Sequence, residues 1–90
     1  MRLEYQELVD LYEKYVAIKK FARHGGALDR GDADSYYHRG EDPHYFVGET
    51  HMSERVEITD KDTEEYKAYM VGYMYNERVV RSFKDWGSDV

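Results

Sequence analysis

The sequence predicts an α+β fold in which two amphipathic helices pack with a short antiparallel β-ribbon and a long ordered loop. Three observations lead there. Both ends of the chain carry apolar residues at helical spacing. The middle has no sustained helical period and holds five glycines and the only proline. Two β-prone runs inside that middle are separated by a turn-rich stretch.

The first helix is expected over about residues 2–24. Leu8, Leu11, Tyr15, Ile18 and Ala22 recur at alternating spacings of three and four, and Tyr5, Val9, Tyr12 and Val16 form a stripe beside them. Acids dominate its first half and Lys19, Lys20 and Arg23 its end, the order that complements the helix dipole. Gly25 and Gly26 should stop it. A face this broad suggests packing on two sides or against a second copy of the chain. A homodimer is therefore expected, with Leu8, Tyr12, Tyr15, Tyr69 and Tyr73 in the subunit interface.

From residue 25 to 58 a loop and ribbon follow. His44-Tyr45-Phe46-Val47 and Arg55-Val56-Glu57-Ile58 read as an antiparallel pair. Two strands alone are marginal, so the pair must lie on the helices. A second helix is predicted over about 60–81, capped at Thr59 with Asp62 three residues on. Tyr66, Met70, Tyr73, Glu77 and Val80 share one face, with Tyr69 and Met74 alongside. Gly72 lies inside it at a cost of about 1 kcal/mol relative to Ala, which points to close approach by another backbone or ring. Residues 82–90 form a tail, from which Phe83 and Trp86 should fold back on the core. The whole chain is read as one domain, 1–90.

Ninety residues are enough to bury only roughly 60 to 65 percent of the unfolded chain's surface, which favours a binding surface over a deep catalytic cleft. With no cysteine, neither a disulfide framework nor a thiolate zinc site can form. The charged start offers no signal peptide and no run is apolar enough for a membrane span, so a cytoplasmic protein with no membrane contact is expected. The net charge of −6 is concentrated: residues 1–30, 31–65 and 66–90 balance at +1, −8 and +1. No basic stripe exists for a phosphate backbone, so direct nucleic-acid binding is not expected.

The four histidines, at 24, 38, 44 and 51, are spaced by 14, 6 and 7, unlike paired metal ligands on a helix. Asp32 and Asp34, or Asp60, Asp62 and Glu64, lack the glycine and the closing glutamate of an EF-hand loop. Ser35 and His38 have no nucleophile elbow and no third partner. No metal, no cofactor and no enzymatic activity are expected. Ten of the fourteen aromatic residues are tyrosine, which suits core edges and interface centres alike.

The densest signal is the run Asp29 to Tyr45, which mixes aromatic rings, two arginines and several acids. Such a stretch either bonds to itself or presents a contact surface. As a contact surface it would act through Arg30, Asp34, Tyr36, Tyr37, Arg39, Asp42, His44 and Tyr45.

Asp29 to Arg39 (Asp-Arg-Gly-x-Ala-Asp-Ser-Tyr-Tyr-x-Arg), Pro43 to Tyr45, and Gly72 to Glu77 (Gly-Tyr-x-x-Asn-Glu) resemble a family of small proteins encoded by phages and prophages. The resemblance covers about half the chain. It implies an accessory protein of the infected bacterium that binds a host protein. In size and character the chain is also similar to inhibitors of the BREX defence system, which would make the partner a defence protein such as an ATPase. The alternatives are an acidic DNA mimic and a homodimeric structural or regulatory factor.

Overall fold

A computed structural model describes residues 3–50 and 52–80. The fold is α+β. Helix α1 spans Tyr5–Val16, a single turn α2 spans Lys19–Ala22, and α3 spans Ala27–Tyr36; strands β1 (His44–Phe46) and β2 (Arg55–Glu57) pair antiparallel; α4 (Glu64–Tyr75) continues into a π-helical turn at Asn76–Val80. The expected fold of Phe83 and Trp86 onto the core lies outside the described residues.

The largest correction concerns the loop. Residues 27–36 form helix α3. Its buried positions are Ala27, Leu28, Gly31, Asp34 and Ser35, a helical period written in small and polar residues rather than in large apolar ones. Gly25, at φ +89°, turns the chain out of the preceding segment, and its N–H donates to Asp29 Oδ2 at 2.9 Å in the first turn of α3. The glycine pair therefore both ends one helical segment and starts the next.

The first helix is also shorter than its period. The chain breaks at Ile18, whose backbone is extended (φ −98°, ψ 106°), between α1 and α2. This turn carries Phe21, 2 % exposed, edge-on to the Tyr15 ring at 5.3 Å, while Ile18 and Ala22 stay partly exposed. The second expected stripe is only partly used: Tyr5 and Val16 are exposed and Tyr12 stacks on Tyr75 with ring centroids 3.7 Å apart.

Helix α4 is the centre of the molecule. Six consecutive residues, Ala68 to Tyr73, are buried, so it is enclosed on every side instead of presenting the single face its period suggested. Its cap is Thr63, not Thr59: the Thr63 hydroxyl accepts from the Tyr66 N–H at 3.2 Å, and Glu64 and Glu65 occupy the first turn.

Helices α3 and α4 cross almost backbone to backbone. A Cβ on Gly31 would lie 2.0 Å from the Tyr69 carbonyl oxygen, and one on Gly72 would lie 2.3 Å from that of Leu28. The close approach expected at Gly72 is thus present, and Gly31 is its counterpart. Beyond the crossing, buried Asn76 donates to Asp32 Oδ1 at 2.5 Å and accepts from Ser35 Oγ at 3.3 Å, so α3 and the π-helical turn are joined by polar contacts as well.

The ribbon lies on the helices as a two-stranded sheet must. His44 and Phe46 point inward, and the Phe46 N–H donates to the Gly25 carbonyl at 2.8 Å. From the helical side, Arg23 donates to the carbonyls of Phe46 (2.6 Å) and Gly48 (2.9 Å).

The core accounts for the residues assigned to a subunit interface. Leu8, Tyr15, Tyr69 and Tyr73 are 0 to 8 % exposed within one chain, and Tyr12 packs against them. For those four the assignment is corrected, because they close the chain's own core and leave almost no surface for a second copy, whereas Tyr12 stays partly exposed.

Candidate functional site

The candidate site is built around Asp34, a carboxylate 3 % exposed near the C-terminal end of α3. A buried charge needs partners. The Tyr69 hydroxyl, from α4, donates to Asp34 Oδ2 at 2.6 Å and itself accepts from the Asp42 backbone N–H at 2.8 Å. Arg39 Nε donates to Asp34 Oδ1 at 3.0 Å, and Arg30, one turn earlier on the same helix, places Nη2 3.9 Å from that oxygen.

The return of Arg39 to Asp34 follows from how α3 ends. His38 takes a left-handed backbone (φ 58°), and the Arg39 N–H reaches back five residues to the Asp34 carbonyl at 2.9 Å. This is the Schellman closure, with histidine where glycine is more usual. It turns the chain so that Arg39 and Asp34 meet through both backbone and side chain.

His44 completes the cluster from β1. Its Nδ1 lies 2.5 Å from the Asp42 carbonyl oxygen and 3.7 Å from Asp34 Oδ2, while its Nε2 lies 3.3 Å from Arg30 Nε. A carbonyl can only accept and a guanidinium can only donate, so Nδ1 carries the proton and Nε2 accepts. The ring is 2 % exposed and edge-on to Phe46.

In the β1–β2 register His44 faces Glu57 and Phe46 faces Arg55. Alternation therefore puts His44, Phe46, Arg55 and Glu57 on one side of the ribbon and Tyr45 and Val56 on the other. Arg55 binds Asp42 Oδ2 at 2.5 Å and also Glu57. Those two carboxylates, Glu57 first, hold its guanidinium in the charged form above the usual arginine range.

Together these groups surround an open depression of about 640 Å³, lined by Arg30, Asp34, Tyr37, Arg39, Asp42, His44, Phe46 and Arg55, with His24 at its margin. Six of the eight residues singled out from the sequence converge there. Tyr36 stands outside it, 50 % exposed and edge-on to Tyr37 at 5.0 Å. Tyr45 is turned to the opposite side of the ribbon, where it packs against the core. Asp34 and His44 belong to the interior framework and not to a contact surface, because their polar atoms are already engaged and they are 3 and 2 % exposed.

Sequence reasoning missed Arg55, Phe46 and the Tyr69 hydroxyl. Arg55 and Phe46 follow from the ribbon once its register is known, whereas nothing in the chain marks Tyr69 as the partner of an acid 35 positions away.

Asp34, His44 and Tyr69 superficially suggest a proton relay, yet His44 Nε2 is occupied by Arg30 and not by a nucleophile. Ser35 is fully buried and bonded to Asn76. Among the described residues no group of three or more His, Asp and Glu could hold a metal ion, and no helix is long and apolar enough to cross a membrane. No protein family, no curated protein and no solved structure matches the chain.

Burial, and then the hydrogen bond to Asp34, raise the Tyr69 hydroxyl well above its ordinary value of 10.0. Burial likewise raises Tyr15, helped by Glu64, and Tyr12, helped by Asp32. The folded chain keeps these protons at pH values where the unfolded chain loses them. The stability they represent is therefore complete below about pH 10 and falls as pH climbs through the raised values. Urea unfolding at increasing pH should show an alkaline decline that Tyr69→Phe makes shallower, by up to about 1.4 kcal/mol per pH unit. An unchanged slope in Tyr69→Phe would contradict the assignment.

Proposed function

We propose that this chain is a binding protein that modulates another protein through the corner at the end of α3. The observation that carries the reading is the pair Tyr36 and Tyr37, 50 and 64 % exposed on adjacent positions. Two large amphipathic rings are held out by a helix end that is locked beneath them through the Arg39–Asp34 contacts and the left-handed turn at His38. Ordered, exposed tyrosines beside arginine are the composition of interface hot spots, and rigidity lowers the entropy lost on binding. Arg39 lies over the Tyr37 ring at 5.0 Å, joining the aromatic corner to the arginine-lined depression. That local gathering of cations favours a protein contact over a DNA mimic, which would spread carboxylates instead.

The phage setting comes from the motif resemblance: the partner would be a host protein of an infected bacterium, a defence-system component among the candidates. Affinity capture from bacterial lysate tests the contact. The Tyr36→Ala/Tyr37→Ala chain should fold normally, since both rings are exposed, and should lose partner recovery by at least about tenfold. Undiminished recovery of every partner by that folded variant would reject the corner as the contact.

A further inference from the structure

The depression beside Tyr37 has unused recognition capacity. The internal hydrogen bonds of Arg30 and Arg39 are made by Nε, to His44 and Asp34 respectively; among the described residues their terminal guanidinium nitrogens make no hydrogen bond, the Arg30 ion pair to Asp34 at 3.9 Å being longer than one. An aromatic ring backs each guanidinium: Phe46 lies 5.3 Å from Arg30 and Tyr37 lies 5.0 Å from Arg39. A hook at Nε and a π-face beneath fix the plane of each fork before any ligand arrives. Arg55 adds a third guanidinium on the same depression.

We propose that this depression receives a carboxylate of an acidic peptide segment in the partner, a deepening that rests on the protein-binding reading above. Preoriented arginine forks match planar carboxylates and phosphates in bidentate geometry. The local charge selects between them. Three guanidiniums and two carboxylates, Asp34 and Asp42, line the depression, and Glu57 holds Arg55 from β2. The lining alone leaves one positive charge in excess and Glu57 offsets it, and so nearly neutral a balance suits a monoanion better than a phosphate dianion. Tyr37 and Phe46 supply apolar walls for the methylene groups that accompany a Glu or Asp side chain.

Nitrogen–proton NMR of the arginine Nε–H groups reads this directly, with the full chain titrated at constant ionic strength with a blocked tetraglutamate peptide, inorganic phosphate, or duplex DNA. Saturable shifts of the Arg30 and Arg39 signals with the peptide are expected. Affinity should fall about tenfold in Arg39→Gln, and similarly in Arg55→Gln, whose side chain is more than a third exposed. The second variant keeps the test decisive if the first perturbs folding. Absence of saturable peptide shifts in the wild type, or phosphate or DNA binding as tightly as the peptide, overturns the proposal. No peptide response, together with capture that depends on Tyr36 and Tyr37, sinks this inference alone. Peptide saturation together with capture that survives the tyrosine double variant sinks the corner contact instead.

Discussion

Gly31→Ala should destabilise the fold severely, although alanine is the better helix former. Intrinsic propensity favours the substitution by about 1 kcal/mol. The new methyl would stand 2.0 Å from the Tyr69 carbonyl oxygen and 2.9 Å from its carbon, both backbone atoms of the central helix, so no side chain can swing aside to relieve it. Helices α3 and α4 would have to separate, which opens the core where they cross. A net loss of about 3 kcal/mol or more is expected, enough to lower the melting temperature of a domain this size by about 12 to 24 °C. Gly72→Ala, with its Cβ 2.3 Å from the Leu28 carbonyl oxygen, should behave alike. Circular dichroism melting checks both. A Gly31→Ala chain melting within about 2 °C of the parent would show that the crossing is looser than described.

Asp34→Ala should be the second severe change, for an electrostatic reason. Among the described residues, Asp34 is the carboxylate that meets the Tyr69 hydroxyl, Arg30 and Arg39 together. Its removal leaves the buried Tyr69 hydroxyl without its acceptor and Arg30, largely buried, without its counter-charge. Breaking a buried pair from one side costs about 3 to 5 kcal/mol. Arg55→Ala provides the contrast, because Asp42 and Glu57 are more than half exposed and water replaces what is lost; about 1 kcal/mol or less is expected there. Urea unfolding of the two variants measures the difference. Equal, small losses would mean that Asp34 is more hydrated than its 3 % exposure implies.

The two predictions mark where sequence reading succeeded and failed. Gly72 stood out because a glycine inside a strongly periodic helix needs a reason, and the close approach it implied is present. Gly31 did not stand out, because the stretch around it, Asp29-Arg30-Gly31-Asp32-Ala33-Asp34, has the composition of a turn. Aspartate and glycine are poor helix formers, and here tertiary packing overrides them: α3 survives because its small face fits against α4. A signal was present in the spacing of Ala27, Leu28, Gly31 and Ser35, but a search for large apolar residues passes over it. The tyrosines were ambiguous for a related reason. Helical spacing identified Tyr69 and Tyr73 as neighbours on a helix, yet whether that helix met solvent, a second chain or its own core depended on the unseen α3.

What the chain determined by itself is local. The helical character of most of α1 and of α4, the glycine turn at 25–26, the two strands and their antiparallel pairing, and the concentration of charge and aromatic residues in the middle all follow from short-range spacing and residue type. Tertiary structure decided the rest: that residues 27–36 are helical, that α4 is enclosed on all sides, that four of the five expected interface residues belong to the core, and that Asp34, Arg39, His44 and Tyr69 meet. Those outcomes depend on which backbones approach within contact distance and on the register of a ribbon. The energies that fix them, from burial, from hydrogen bonds to a desolvated carboxylate and from the absence of a clash at two glycines, arise between residues as much as 44 positions apart, where a linear pattern carries no distance.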